Sequence, residues 1–160
     1  MKQTTLCYIE KDNKYLMLHR IKKENDMNKD KWIGVGGKFL EDETPEQCLL
    51  REVEEETGLI LNNFNYRGVV IFESDIYETE AMHLYTSDDF SGNIKECDEG
   101  KLEWIDKKEL YSLTLWEGDK LFLKMIETPS EFFNMTVTYQ GDTLISATLE
   151  GNEIYKKSTR

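Results

Sequence analysis

The stretch Gly37–Leu59, GKFLEDETPEQCLLREVEEETGL, decides how the rest of this 160-residue chain is read. Within it Glu52, Glu55 and Glu56 stand at i, i+3 and i+4. At ~100° per residue, that spacing puts three carboxylates on one arc of a helix. Leu49, Leu50, Val53 and Thr57 fall on the adjoining arc, so one side packs on a sheet while the other presents clustered negative charge. The helix has defined ends. Thr44-Pro45-Glu46-Gln47 reads as a capping box with proline at the first helical position. Gly58 suits the left-handed residue that stops a helix. Ahead of the helix, Gly36-Gly37 lets backbone turn sharply or approach a ligand.

Clustered acids carry a cost. Two unit charges about 6 Å apart repel by about 3 kcal/mol at an effective dielectric of about 20. Three such pairs strain the fold or push a proton onto one carboxyl. A hard divalent cation removes the repulsion, and oxygen-only ligands suit Mg²⁺ or Mn²⁺. A solvated acidic face is the other reading, since surface glutamates are common. The spacing alone leaves both open.

Gly37, Glu43, Arg51-Glu52-Val53, Glu55-Glu56 and Gly58-Leu59 resemble the Nudix box at every fixed position. The resemblance implies the Nudix fold of the α/β (α+β) class, a mixed β-sheet sandwiched between α-helices. It implies hydrolysis of a nucleoside diphosphate linked to another moiety. It also implies Mg²⁺, with Mn²⁺ as an alternative, held by Glu52, Glu55 and Glu56 with the Gly37 carbonyl as a further ligand. Arg51 and Glu43 would brace the loop–helix–loop. A domain that keeps the box but only binds nucleotide is the non-catalytic alternative.

Composition bounds the remaining choices. The length suits a single domain over residues 1–160, with a core of useful size. A hydrophobic content of 39% with 32% charged residues fits a soluble globular protein. The net charge of −12 argues against binding a nucleic-acid polymer through its phosphates, yet leaves a free nucleotide open as substrate. No apolar run reaches membrane-spanning length, and the N-terminus MKQTTLCYIEKDNKYL lacks the apolar core of a signal peptide. Cys7, Cys48 and Cys97 are odd in number and unpaired in spacing, which points to a reducing cytoplasmic setting. Nothing in the sequence specifies an oligomeric state.

Outward from the box, Thr4–Ile9 and Tyr15–Leu18 read as a strand pair around the turn Lys11-Asp12-Asn13-Lys14. Arg20, Lys22 and Lys23 form a basic patch that either meets phosphate or is merely solvated. The polar segment Glu24–Lys31 reads as a flexible loop over the site. Trp32-Ile33-Gly34-Val35-Gly36-Gly37-Lys38 resembles the Trp-Asn-Gly-Phe-Gly-Gly-Lys stretch of the MutT-like branch of the same family, the oxidised-purine nucleoside triphosphatases. Ile33 replaces the branch's asparagine and cannot make its hydrogen bond to the base. Tyr66–Glu73 and Glu80–Tyr85 read as strands, with Phe72 and Met82 lining either pocket or core and His83 a packed or surface residue. Ser87–Gly92 reads as a polar turn. Glu99 aligns with the glutamate that family members carry before a Trp-containing strand, here Lys101–Ile105. It would complete the metal site or act as general base, with Glu96 as second choice.

Lys107–Tyr111 reads as one helical turn, and Asp119–Ile126 as a helix. Trp116-Glu117-Gly118-Asp119 resembles the branch's Trp-Pro-Asp-Asp segment, where Trp stacks on the base and both acids contact its edge. Trp116 and Asp119 match, Gly118 replaces the first acid, and Asp119 also has a plain explanation as a helix cap. Phe132–Leu149 reads as a hairpin, and the polar residues after Gly151 as a frayed tail.

Together the resemblance implies Mg²⁺-dependent cleavage of a nucleoside triphosphate, 8-oxo-dGTP first among them, to the monophosphate and pyrophosphate. Arg20 and Lys38 would meet phosphate. Trp32, Phe72, Met82, Trp116 and Asp119 would meet the base. Either Glu55 or Glu99 would take the proton of the attacking water. ADP-ribose or a dinucleoside polyphosphate is the alternative substrate within the same fold.

Overall fold

Leu6 and Tyr8 alternate with Cys7 and Ile9 along the first strand, and all four are buried. A strand apolar on both faces must lie between two layers. The computed structural model, which describes residues 1–158, shows those layers. Its elements in chain order are β1 (Lys2–Lys11), β2 (Lys14–His19), β3 (Trp32–Ile33), α1 (Pro45–Thr57), β4 (Ile60–Ser74), β5 (Glu80–Ser91), β6 (Lys101–Asp106), α2 (Glu117–Ile126), β7 (Phe133–Gln140), β8 (Thr143–Leu149) and β9 (Asn152–Lys156). A 3₁₀ turn at Leu110–Ser112 falls close to the expected helical turn.

All nine strands join one sheet in the order β3-β2-β1-β5-β4-β7-β8-β9, with β6 along β2. β1 and β2 meet through Asp12 and Asn13, both at positive φ, as a two-residue hairpin of matching twist requires. β1 runs parallel to β5, from Lys2 opposite Glu80 to Ile9 opposite Ser87. β4 runs parallel to β7, and the other pairings are antiparallel. The sheet is therefore mixed. Cys7, Ile9, Leu16 and Leu18 meet Leu49 and Val53 of α1 on one face. Leu6, Tyr8, Tyr15 and Met17 share the other face with Phe122, Leu123 and Ile126 of α2. Among the described residues no helix is long and apolar enough to cross a membrane.

The caps of α1 form as the sequence dictates. The Thr44 side chain accepts from the Gln47 N–H at 3.2 Å, and the Gln47 side chain accepts from the Thr44 N–H at 2.9 Å. Gly58 stands at φ 82° and donates to the Glu54 carbonyl. The buried stripe differs from expectation: it runs through Cys48, Leu49, Val53, Glu56 and Thr57, while Leu50 is 40% exposed.

Three other expectations need correction. Ser87–Gly92 is not a turn, because β5 continues to Ser91, and the Ser87 hydroxyl donates to the Asn63 carbonyl at 2.6 Å. Asp119 does not cap α2; Trp116 occupies the cap position and makes no side-chain cap bond. The segment after Gly151 adds a ninth strand, with Tyr155 opposite Ala147 and packed on the α2-side core. Thr159 and Arg160, the end of the expected tail, lie outside the described residues.

Candidate active site

Arg51 organises the loop–helix junction. Its guanidinium grips Glu43 through two bonds, Nε to Oε2 at 2.6 Å and Nη2 to Oε1 at 2.9 Å. This fork geometry suits arginine and not lysine. The same group donates to the Lys38 carbonyl at 3.1 Å, to Glu52 at 2.7 Å and to Glu55 at 3.2 Å. The hydrogen bonds from Arg51 hold the Glu43 carboxyl down to a pKa of about 2, aided by the Leu40 N–H. Gly37 lies directly over Glu52, where a Cβ would overlap the Glu52 carboxylate.

The acids of α1 divide by environment. Glu56 is 7% exposed and accepts from the Gly36 N–H at 2.7 Å. Burial pushes its pKa well up, and the neighbouring charges of Glu99 and Glu52 add to the effect. Burial also raises Glu52, against the pull of Arg51. Glu55 points outward, 61% exposed. Glu99 comes from the loop before β6 and pairs with Arg20 at 3.0 Å and Lys23 at 3.5 Å.

Among the described residues no three acidic, histidine or cysteine side chains converge into a ready-made ion cage. The donor chemistry nonetheless fits a hard dication. A buried Glu56 crowded by two further carboxylates is costly to ionise, and a divalent cation among the oxygens offsets that cost. Gly37 is the expected backbone ligand. Its carbonyl already accepts from the Thr5 N–H at 2.9 Å and from the Cys48 thiol at 3.4 Å. The neighbouring Gly36 carbonyl meets no donor among the described residues.

Part of this set lines a cavity of about 400 Å³. Arg20, Gly37, Lys38, Glu52 and Glu99 line it together with the apolar side chains of Leu6, Met27, Ile33, Phe72, Met82 and Trp116. Asn28, Glu80 and Asp119 supply its other polar groups. Trp116 is wedged edge-on against Phe72 at 5.5 Å and Tyr139 at 5.0 Å, and Lys31 Nζ covers its ring at 4.3 Å. Its indole N–H donates to Asn28 Oδ1 at 2.7 Å. Burial raises the Asp119 pKa to about 8; the Glu80 charge adds and Lys31 opposes.

An acid-rich helix braced by an Arg–Glu fork beside a nucleotide-sized cavity is the arrangement the box implies, and the NUDIX domain family matches residues 2–126. The chain belongs to the Nudix hydrolase family. It is 32% identical over 125 residues to the oxidized purine nucleoside triphosphate hydrolase of Danio rerio, covering 77% of this chain and 79% of that one. An uncharacterized Nudix hydrolase of Bacillus subtilis, YvcI, is 28% identical over 144 residues and 87% of each chain. A crystal structure of a MutT protein from Bacillus halodurans superposes with a TM-score of 0.83 at 26% identity, covering 94% of this chain and 98% of that one. This Nudix hydrolase is MutT-like in fold.

The residues singled out in this Nudix hydrolase do not all reach the cavity. Arg20, Gly37, Lys38, Glu52, Phe72, Met82, Glu99, Trp116 and Asp119 do. Trp32 does not: it stacks on His19, 4.3 Å away and nearly coplanar, and its strand neighbour Ile33 lines the cavity instead. Arg20 reaches the wall paired with two acids, Nε with Asp26 at 2.7 Å and Nη1 with Glu99 at 3.0 Å. Lys38 carries no ion pair among the described residues. Glu96 is exposed and bound to Lys22, outside the cavity. Gly118 is packed, its N–H donating to the Tyr139 hydroxyl at 2.6 Å, and a Cβ there would lie 2.8 Å from that oxygen. Sequence reasoning missed Asn28 and Glu80, which stand in no recognisable spacing.

Proposed function

We propose that this Nudix hydrolase cleaves a nucleoside triphosphate to the monophosphate and pyrophosphate, with an oxidised purine nucleotide such as 8-oxo-dGTP as the preferred substrate. One observation carries the reading. A single cavity joins Glu52 of the box and Glu99 to an aromatic pocket that ends in a buried carboxyl, Asp119. That is room for a polyphosphate at one side and a planar base at the other. The names of the zebrafish and mouse relatives, oxidized purine nucleoside triphosphate hydrolases, support the same choice.

Glu52, Glu56 and Glu99, with the Gly36 carbonyl, would hold Mg²⁺ or Mn²⁺. Such an ion supplies charge neutralisation for the departing pyrophosphate and a lowered pKa for the attacking water. The protein's own groups do the rest. Lys38 meets the phosphate charge from the cavity wall. Arg51 keeps Glu52 and Glu55 oriented while Glu43 fixes Arg51. Glu99 lines the cavity and Glu55 does not, which favours Glu99 over Glu55 as the group that takes the water's proton. Phe72, Met82 and Trp116 exclude water around the base. Asp119, neutral at pH 7, offers both a donor and an acceptor to its edge.

A panel of normal and oxidised nucleotides with Mg²⁺, read by product identity, tests the proposal. Pyrophosphate and a nucleoside monophosphate are the expected products. Release of two phosphorylated fragments from ADP-ribose or a dinucleoside polyphosphate, with triphosphates untouched, would replace it.

A further inference from the structure

Asn28 sits on the loop between β2 and β3, and its orientation is fixed from three sides. The Trp116 indole nitrogen is a donor only. The Asn28 atom 2.7 Å from it must therefore be the amide oxygen, which settles which way the amide points. The Asn28 main-chain N–H donates to Asp26 Oδ1 at 3.0 Å, and its carbonyl accepts from the Lys31 N–H at 2.9 Å. Asp26 in turn accepts from Arg20 Nε at 2.7 Å. The loop over the cavity is thus braced by bonds to Arg20 and Trp116.

With its oxygen held on the Trp116 N–H, the group of the side chain left without a partner is its NH₂. No acceptor among the described residues meets that group, and Asn28 lines the cavity. Ile33, on the same cavity wall, contributes no polar atom. Glu80, held by the Thr4 hydroxyl at 2.7 Å and Lys2 at 3.2 Å, contributes only acceptors.

We infer that Asn28 is a specificity-determining residue: its pinned amide presents its unpartnered N–H donors to the base, and so selects a base edge that carries an acceptor, an oxo-purine over an amino-purine. The inference rests on the nucleoside triphosphatase reading above. An asparagine free to flip would serve either edge, since it exchanges donor for acceptor by rotating about its last torsion. Trp116 removes that choice. A mismatched amino group leaves two donors facing each other in a site shielded from water, the kind of mispairing that hydrogen-bonding sites reject strongly.

The test compares kcat/KM for pyrophosphate release from dGTP and dITP with that from dATP, in the wild type and in Asn28→Asp and Asn28→Ala. Asn28→Asp keeps an acceptor for Trp116 and exchanges the donors for an oxygen. The wild type should favour the oxo-purines. Asn28→Asp should lower the oxo-to-amino ratio at least tenfold, chiefly through KM, with a melting temperature near that of the wild type. Asn28→Ala, which deletes the donors without adding charge, should bring the ratio towards one and serves if the aspartate variant folds poorly. A ratio within twofold of the wild type in the folded variants, an equal loss on both bases, or a wild type that prefers dATP would each overturn the role of Asn28 alone. A wild type releasing pyrophosphate from no triphosphate would instead overturn the underlying reading, and this inference with it.

Discussion

Replacing Asp119 by asparagine should change how stability depends on pH. Asp119 is 7% exposed, and its carboxyl makes no hydrogen bond among the described residues. Its pKa rises from 3.8 to about 8 on folding. Between those values the unfolded chain has lost the proton while the folded protein retains it. Wild-type stability from this group is therefore complete below pH 3.8 and falls as pH climbs through 8. The amide of the Asp119→Asn variant carries no titrating proton, so the variant escapes that loss. The gap between variant and wild type should widen in the variant's favour by about 1.4 kcal/mol per pH unit. From pH 5 to pH 8 that amounts to about 3–4 kcal/mol, allowing for titration near the upper end. For a chain of this length about 1 kcal/mol shifts the melting temperature by 2–4 °C, so the two curves should separate by roughly 10 °C. A constant offset, from the unpaired amide of the introduced side chain, costs about 1–3 kcal/mol and does not vary with pH. Thermal melts of both proteins at pH 5, 6, 7 and 8 read the slope, to which Glu56 contributes equally on both sides. Melting temperatures that stay parallel to within about 2 °C would refute the reasoning.

Glu56→Gln should raise the stability of the metal-free protein by about 1–2 kcal/mol, because it removes a buried charge crowded by Glu52 and Glu99; the same variant should lose the rise in melting temperature that Mg²⁺ gives the wild type. Arg51→Lys should cost about 2–3 kcal/mol in urea unfolding at pH 7, since a lysine cannot reproduce the fork on Glu43. Glu43's depressed pKa stabilises the fold above pH 4.5 and ceases to do so as pH falls through about 2, so the lysine variant should show a shallower acid limb. Gly118→Asp restores the acidic pair of the MutT-like pattern, yet it should destabilise by about 1–3 kcal/mol in the same assay, because its Cβ meets Tyr139 and Val137 at 2.8 and 3.0 Å.

The readable parts of this chain are those governed by local chemistry. The ends of α1 follow from Thr44, Gln47 and Gly58, which act on backbone groups within one turn. Its three acids, read as one cluster, part on folding: Glu56 is buried against Gly36 while Glu55 faces solvent. The choice of Cys48 over Leu50 for burial does not follow from hydrophobicity, since the sheet's position beside the helix makes it. β4 and β5 outrun their apolar cores because pairing between them carries polar residues such as Asn63, Asn65 and Asp89 into the ladder, across register shifts. β9 holds one packed side chain, Tyr155, and exists because β8 offers an edge. In the site, Trp32 and Ile33 differ by one position along a strand, and that position decides which meets the cavity. Arg20 reads as a free cation in sequence; its partners Asp26 and Glu99 come from two separate loops. Asn28 and Glu80 acquire meaning only beside Trp116, Thr4 and Lys2, contacts that tertiary structure alone creates.

The parallel pairing of β1 with β5 has a consequence for how the protein comes into being. On a ribosome, β1 emerges with its hairpin partner and then waits through roughly sixty residues of synthesis for the strand that flanks it. Until then the acidic helix has only half a sheet to lean on, and the wall that carries Glu80 and Met82 does not exist. Such long-range closure slows folding and leaves an open strand edge available to other chains. Trp116 and Asp119 arrive later still, so nascent fragments ending before α2 have the box acids without the pocket beside them.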